Sequence, residues 1–464
     1  MSSPIPSPHG VFSDEEVEAL ERDLIFERGI PIKGKRKVSS TFLTLPDIIL
    51  AGSFPGPSTT SSLSIRFDTS ESRLSPSPFS FDLPVDPVSI EALEFIGFTT
   101  PTATEIYDRY VSRPDPMENF YDLLEYAYGH VERLQGPAYR ALPPRQAVEA
   151  VGLDKITQDT LLDPYFSDIF STQDLCYWIK DTLKMRYVTL QQLQDRLKAQ
   201  AAAIIQEAKK KDTERASLKD DCPHVADNIQ QQVASQAINA VISMTFDTLP
   251  SNQITIVTEE PDATIPGHTT LYNGKGVSEL IGNGPWIAED GNLEMGCLAN
   301  RPGGDFSFDV LAHYWTCNKA VAEKYRLWAA RRDCMNQSVI IRIQVPDTFL
   351  ASLNTQELWY SPDWKEFVWL CRKLRRPPAK FQHLLNAELI RGHICQGMGQ
   401  VITNIDQHNV QTRISEDHIM RVPETNEKAK QFAFISSDVY YRLGDAVRGK
   451  LFVDVSRSFQ SFDK

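Results

Sequence analysis

The stretch HTTLYNGKGVSEL, His268–Leu280, decides how the C-terminal half is read. Its Thr269–Tyr272 run predicts a short strand that ends in a Tyr-Asn-Gly step. Asn and Gly tolerate positive φ, so the step taken alone is a turn and nothing more. Around it the rhythm is mixed. NQITIVTE predicts a strand, NKAVAEKYRLWAARR a helix, SVIIRIQVP a strand and SPDWKEFVWLCRKL a helix. AELIRGHICQG and KQFAFIS predict further strands, SDVYYRLGDAV a helix and KLFVDVS a closing strand. There is no long βαβ rhythm and no Gly-rich phosphate loop. Residues 249–464 are therefore expected to form a compact α+β domain rather than a doubly wound one.

Upstream the composition shifts twice. Residues 1–85 are rich in Ser, Pro and Thr, too poor in apolar surface to offset chain entropy, and are expected to form a disordered arm. One island, residues 13–29, predicts a short amphipathic helix. Ser13 and Glu16 form its capping box, and Val17, Leu20, Leu24 and Ile25 share a face. The KGKRK run that follows, Lys33–Lys37, suits either a solvated linker or a nuclear-localisation patch. Residues 86–248 predict an all-α helical module, with a long helix over 189–216 and a further one within 226–246. Its aromatic stripes have core spacing and none has catalytic spacing. The helices 13–29 and 189–216 are the candidate contacts for a protein partner.

The 464 residues carry 48 Lys+Arg against 61 Asp+Glu, a formal charge of −13. Phosphate backbones need a positive field, so general nucleic-acid or anionic-membrane binding is not expected. The first residues lack a basic segment followed by an apolar core, so no secretory leader is expected, and no apolar run would span a bilayer. The expected location is cytoplasmic or nuclear. Seven scattered cysteines show no Cys-x-x-Cys pair, which argues against a metal site and for free thiols.

Four segments, in order, carry a resemblance. They are TLYNG (Thr270–Gly274), DFSFDVLAHYWTCNKAVAEKYRLWA (Asp305–Ala329), VIIRIQVPDTFL with DWKEFVWLCRKL and ELIRGHI, and KQFAFISSDVYYRL (Lys430–Leu443). Together, over roughly residues 265–450, they resemble the ADP-ribosyltransferase-like domains of uncharacterised fungal and bacterial proteins. The resemblance implies NAD as substrate, and an ADP-ribosyltransferase or NAD glycohydrolase activity, intact or degenerate.

That chemistry expels nicotinamide through an oxocarbenium-like state, which needs a carboxylate near the developing cation. By resemblance, Asn273 stands where the family contacts the NAD ribose through His or Arg, beside Tyr272. Gly274 would let the backbone approach the dinucleotide. Tyr314 would be the ring on which nicotinamide stacks, with Thr316 two residues on. Gln431 stands at the catalytic position on the last strand, where active members place their carboxylate. Glutamine carries no charge, so another acid would have to reach in; Glu289 and Glu294 are the loop candidates. The alternative is a non-enzymatic interaction scaffold built on the helical module and a degenerate α+β domain. No nucleophile elbow, Walker loop or His-Glu-x-x-His motif is present.

Overall fold

The computed structural model describes residues 9–39, 42, 63–67, 80–113, 121–136, 142–217, 254–260, 264–280, 293, 295–333, 335–397 and 399–456. Its strands are β1 (Lys35–Ser39), β2 (Leu63–Phe67), β3 (Ser80–Pro84), β4 (Ile254–Ile256), β5 (His268–Gly276) and β6 (His313–Thr316). They continue with β7 (Ser338–Pro346), β8 (Thr355–Leu358), β9 (Leu389–His393), β10 (Lys430–Phe434) and β11 (Leu451–Ser456). The helices include α1 (Asp14–Arg22), α2 (Leu175–Ser217), α3 (Lys319–Arg332), α4 (Pro362–Arg372) and α5 (Ser437–Val447).

Nine strands form one mixed sheet in the order β4-β2-β11-β7-β5-β6-β10-β9-β8. The strand that opened the sequence reading does not stop at Tyr-Asn-Gly. It continues as β5 to Gly276, antiparallel to β7 along its whole length. The turn reading fails because Gly274 serves packing instead. A Cβ there would overlap the carbonyl oxygen of Ala322 and lie 2.7 Å from the Arg326 nitrogen, so only glycine lets α3 lie this close to the strand.

Both faces of the sheet are covered. On β7, Val339, Ile341, Ile343 and Val345 pack with Val439, Leu443 and Val447 of α5. The alternate residues Arg342 and Gln344 are buried as well, held by Glu260 at 3.8 Å and by the Ile265 N–H at 2.5 Å.

The expectation of a disordered arm is corrected where residues 9–39, 63–67 and 80–85 are concerned. The capping box at Ser13 and Glu16 is made, and Val17, Ala19 and Leu20 of α1 pack on Leu190, Leu193, Leu197 and Ala201 of α2. The two helices expected to meet a partner thus pack on each other, but α1 ends at Arg22 rather than reaching residue 29, and Leu24, placed on its apolar face by the sequence, has a positive φ and is exposed. The Lys33–Lys37 run is no solvated linker. It leads into β1, where Lys35 pairs with Glu94 at 2.6 Å and buried Arg36 with Glu21 at 2.9 Å. β2 sits inside the large sheet, parallel to β11, with Arg66 ion-paired to Asp454.

α2 starts at Leu175 rather than near residue 189, since nothing between Lys184 and Thr189 breaks it. The helix expected within 226–246 lies outside the described residues. The helical part also shares its core with the sheet region: Val321 and Trp328 of α3 pack among Phe98, Leu161, Phe166, Trp178 and Ile179. A buried polar seam reinforces the join. Thr189 donates to Asp333 at 2.5 Å, Ser278 to the same carboxylate oxygen at 2.8 Å, and Asn336 to Gln192 at 2.7 Å.

Candidate functional site

Strand register brings the site together. Arg342 pairs with Tyr272, Tyr272 with Thr316, Thr316 with Gln431 and Gln431 with Gly392, forming one row across five strands. Directly opposed residues project to the same face, and neighbouring strands lie about 4.8 Å apart. Tyr272 and Gln431 are therefore roughly 10 Å apart across the row, within reach of one small ligand. β5 and β6 pair only at Tyr272 and Thr316 and then splay, which opens a cleft above the row. All six residues singled out by resemblance, Tyr272, Asn273, Gly274, Tyr314, Thr316 and Gln431, line it.

Their individual roles differ from expectation in part. Asn273 donates from Nδ2 to the backbone carbonyl of Tyr314 at 2.9 Å, tying the two strands beyond their single bridge. Its Oδ1 has no partner among the described residues. Gly274 accommodates α3 rather than a dinucleotide. The Tyr314 hydroxyl accepts the Phe306 N–H at 3.1 Å and lies under Gly304, where a Cβ would come within 2.5 Å of it. Burial, with Asp305 nearby, holds this phenol well above its usual range, so it keeps its proton. Thr316 accepts the Asn318 N–H at 3.1 Å and steers the chain into α3.

The acid beside Gln431 is Asp305. Asp305, Arg372 and Gln431 are 6%, 8% and 5% exposed. One carboxylate oxygen accepts from Arg372 Nε at 2.9 Å and Nη2 at 2.7 Å. The other accepts from the Cys395 N–H at 2.8 Å and from Gln431 Nε2 at 2.8 Å. A carboxylate has about four acceptor positions, so all are filled. The second amide proton of Gln431 goes to the His393 carbonyl at 3.1 Å. Nearby Cys395 is no nucleophile: burial pushes its thiol up to about 12 despite Arg372 beside it. Glu289 and Glu294, the loop acids named from sequence, lie outside the described residues.

The opposite wall comes from the helices. Tyr177, Trp178 and Asp181 of α2 and Trp328 and Arg332 of α3 line it. Arg332 is ion-paired with Asp181, and its guanidinium lies 4.8 Å from the Trp178 ring and 5.2 Å from the Trp328 ring. Glu279 stands 3.5 Å from Lys275 and 3.9 Å from Arg332. Every acid lining the cleft among the described residues, Asp181, Glu279 and Asp305, is thus paired with a cation. At the mouth, exposed Arg301 has no carboxylate partner among the described residues. The cleft is open to solvent and has a volume of about 160 Å³. A cavity of about 150 Å³ holds one benzene-sized ring.

Sequence reasoning missed Asp305, Arg372, Tyr177, Trp178, Asp181 and Arg332. Asp305 did open the quoted DFSFDVLAHYWT segment, but its partner Arg372 follows 67 residues later, and no local spacing links them. No group of His, Cys, Asp and Glu is placed to hold a metal ion among the described residues. Compared with protein-family models, curated proteins and solved structures, the chain finds no match.

Proposed function

We propose that this cleft binds a nicotinamide adenine dinucleotide, and that the chain is an ADP-ribosyltransferase-like protein degenerate in its bond-breaking chemistry. One observation carries the binding half: Tyr272, Thr316 and Gln431 share a single register row, with Asn273, Gly274 and Tyr314 on the same cleft. The cleft has room for one ring and the rest of the ligand extends outward past Arg301, whose charge, without a carboxylate partner among the described residues, suits a diphosphate.

The degenerate half follows from charge. An oxocarbenium-like state needs a carboxylate whose negative charge is not already neutralised. Among the described residues none offers this: Asp305 is fully hydrogen-bonded and paired with Arg372, Asp181 and Glu279 are paired elsewhere, and Gln431 is neutral.

The test is calorimetric titration of the full chain with NAD. The full chain is needed because α2 supplies part of the wall and β2 part of the sheet. Saturable binding, weakened about tenfold or more in Tyr272→Ala, with nicotinamide release at background, is the expected result. Absence of heat at millimolar NAD from folded protein would remove the binding half. Steady nicotinamide release would remove the degenerate half.

A further inference from the structure

Gln431 has one side-chain group left once its internal bonds are counted. Both amide protons are committed, one to Asp305 Oδ2 and one to the His393 carbonyl. The carbonyl oxygen Oε1 has no partner among the described residues, on a side chain 5% exposed that lines the cleft. The amide cannot turn over without bringing that oxygen against the Asp305 carboxylate and stranding two acceptors. Asp305 is equally fixed, because Arg372 grips it twice and the Cys395 N–H once. Arg372 is anchored in turn by the carbonyls of Cys395 at 2.5 Å and Gly397 at 3.0 Å.

We infer that Asp305 is a positioning residue that locks Gln431 with its oxygen toward the cleft, so that the cleft beside Gln431 selects an uncharged ring bearing an N–H or O–H donor and rejects a carboxylate. This deepens, and rests on, the reading of the cleft as a nicotinamide-dinucleotide site. Against an amide, Oε1 accepts an N–H and the Tyr314 hydroxyl has its proton to give. Against a carboxylate, two acceptors face each other at the buried Gln431 side chain, and sites that hydrogen-bond a ligand discriminate strongly against an analogue lacking the donor. The position also resists becoming glutamate, which would set two carboxylates together at Asp305.

The probes are nicotinamide and nicotinate, equal in shape, measured with the full chain at pH 7.5 by ligand-observed NMR. The expected result is a preference for the amide of about tenfold or more. Gln431→Met should reduce it to about twofold, and Asp305→Asn, which frees the amide of Gln431 to turn, should reduce or invert it. Loss of affinity without change in the ratio would mark a purely structural role and overturn the proposal. So would equal binding of both probes to the wild-type chain, or binding of neither, which keeps the proposal falsifiable if a variant fails to fold. The NAD titration is scored separately. Heat with NAD but no amide preference sinks the selectivity alone, and amide preference without NAD heat sinks the dinucleotide reading alone.

Discussion

Arg372 donates twice to a single oxygen of Asp305, through Nε at 2.9 Å and Nη2 at 2.7 Å, with both side chains buried. Burying such a pair gains little over an apolar pair, but removing one member leaves the other charged and stranded. Asp305→Ala should destabilise the chain by about 3–5 kcal/mol. Urea unfolding followed by tryptophan fluorescence measures this, and a midpoint within error of wild type would contradict it.

Gly274 and Gly276 lie two residues apart on β5 and should respond differently to alanine. At Gly274 the new methyl meets backbone of α3, which cannot step aside. At Gly276 it meets the Met185 Cε at 2.7 Å, the flexible end of a side chain. Gly274→Ala should cost about 2–3 kcal/mol or more and Gly276→Ala under about 1 kcal/mol. Equal melting temperatures for the two variants would refute the contact.

His313 is fully buried, with both ring nitrogens unpartnered among the described residues and its ring 4.0 Å from that of Tyr440. Burial, helped by the nearby charge of Lys275, brings its pKa down to about 3 from the ordinary 6.5. Between those values the unfolded chain binds the proton and the folded chain does not. Stability is therefore full above pH 6.5 and falls as pH is lowered toward 3, by up to roughly 4–5 kcal/mol from this group. His313→Leu should flatten the difference in urea midpoint between pH 7 and pH 5 relative to wild type. Parallel pH profiles would exclude the assignment.

Arg301→Gln should separate the exposed rim of the cleft from its floor at Gln431. NAD affinity is expected to fall about five- to tenfold, the scale of one charge-assisted contact to phosphate, with nicotinamide binding unchanged. If both ligands weaken equally, the guanidinium acts on the fold and not on a diphosphate.

How much of this was legible depends on where the information lies. Tyr272, Tyr314, Thr316 and Gln431 could be singled out by resemblance because each sits in a strand whose motif is local, and the structure lines one cleft with them. Asp305 and Arg372 were not, because what pairs them is the placement of α4 against the loop before β6. Trp178 looked like core and is core; it also forms a cleft wall, since a side chain at the edge of a packed cluster serves both. β2 was hidden differently. The five residues Leu63–Phe67 alternate properly but lie in Ser/Pro-rich surroundings, and they become a strand by pairing with β11, far along the chain.

That last pairing has a consequence for the order in which the molecule is made. β11 is flanked by β2 on one side and β7 on the other, and β4 reaches the sheet only through β2. A ribosome that has delivered everything up to residue 450 has delivered β2 and β4 with only each other to pair with. Leu63, Ile65 and Phe67 must wait, exposed or chaperoned, until Leu451–Ser456 emerges. Removing those six residues should release β2 and β4 together, a loss on the N-terminal side caused by a deletion on the other.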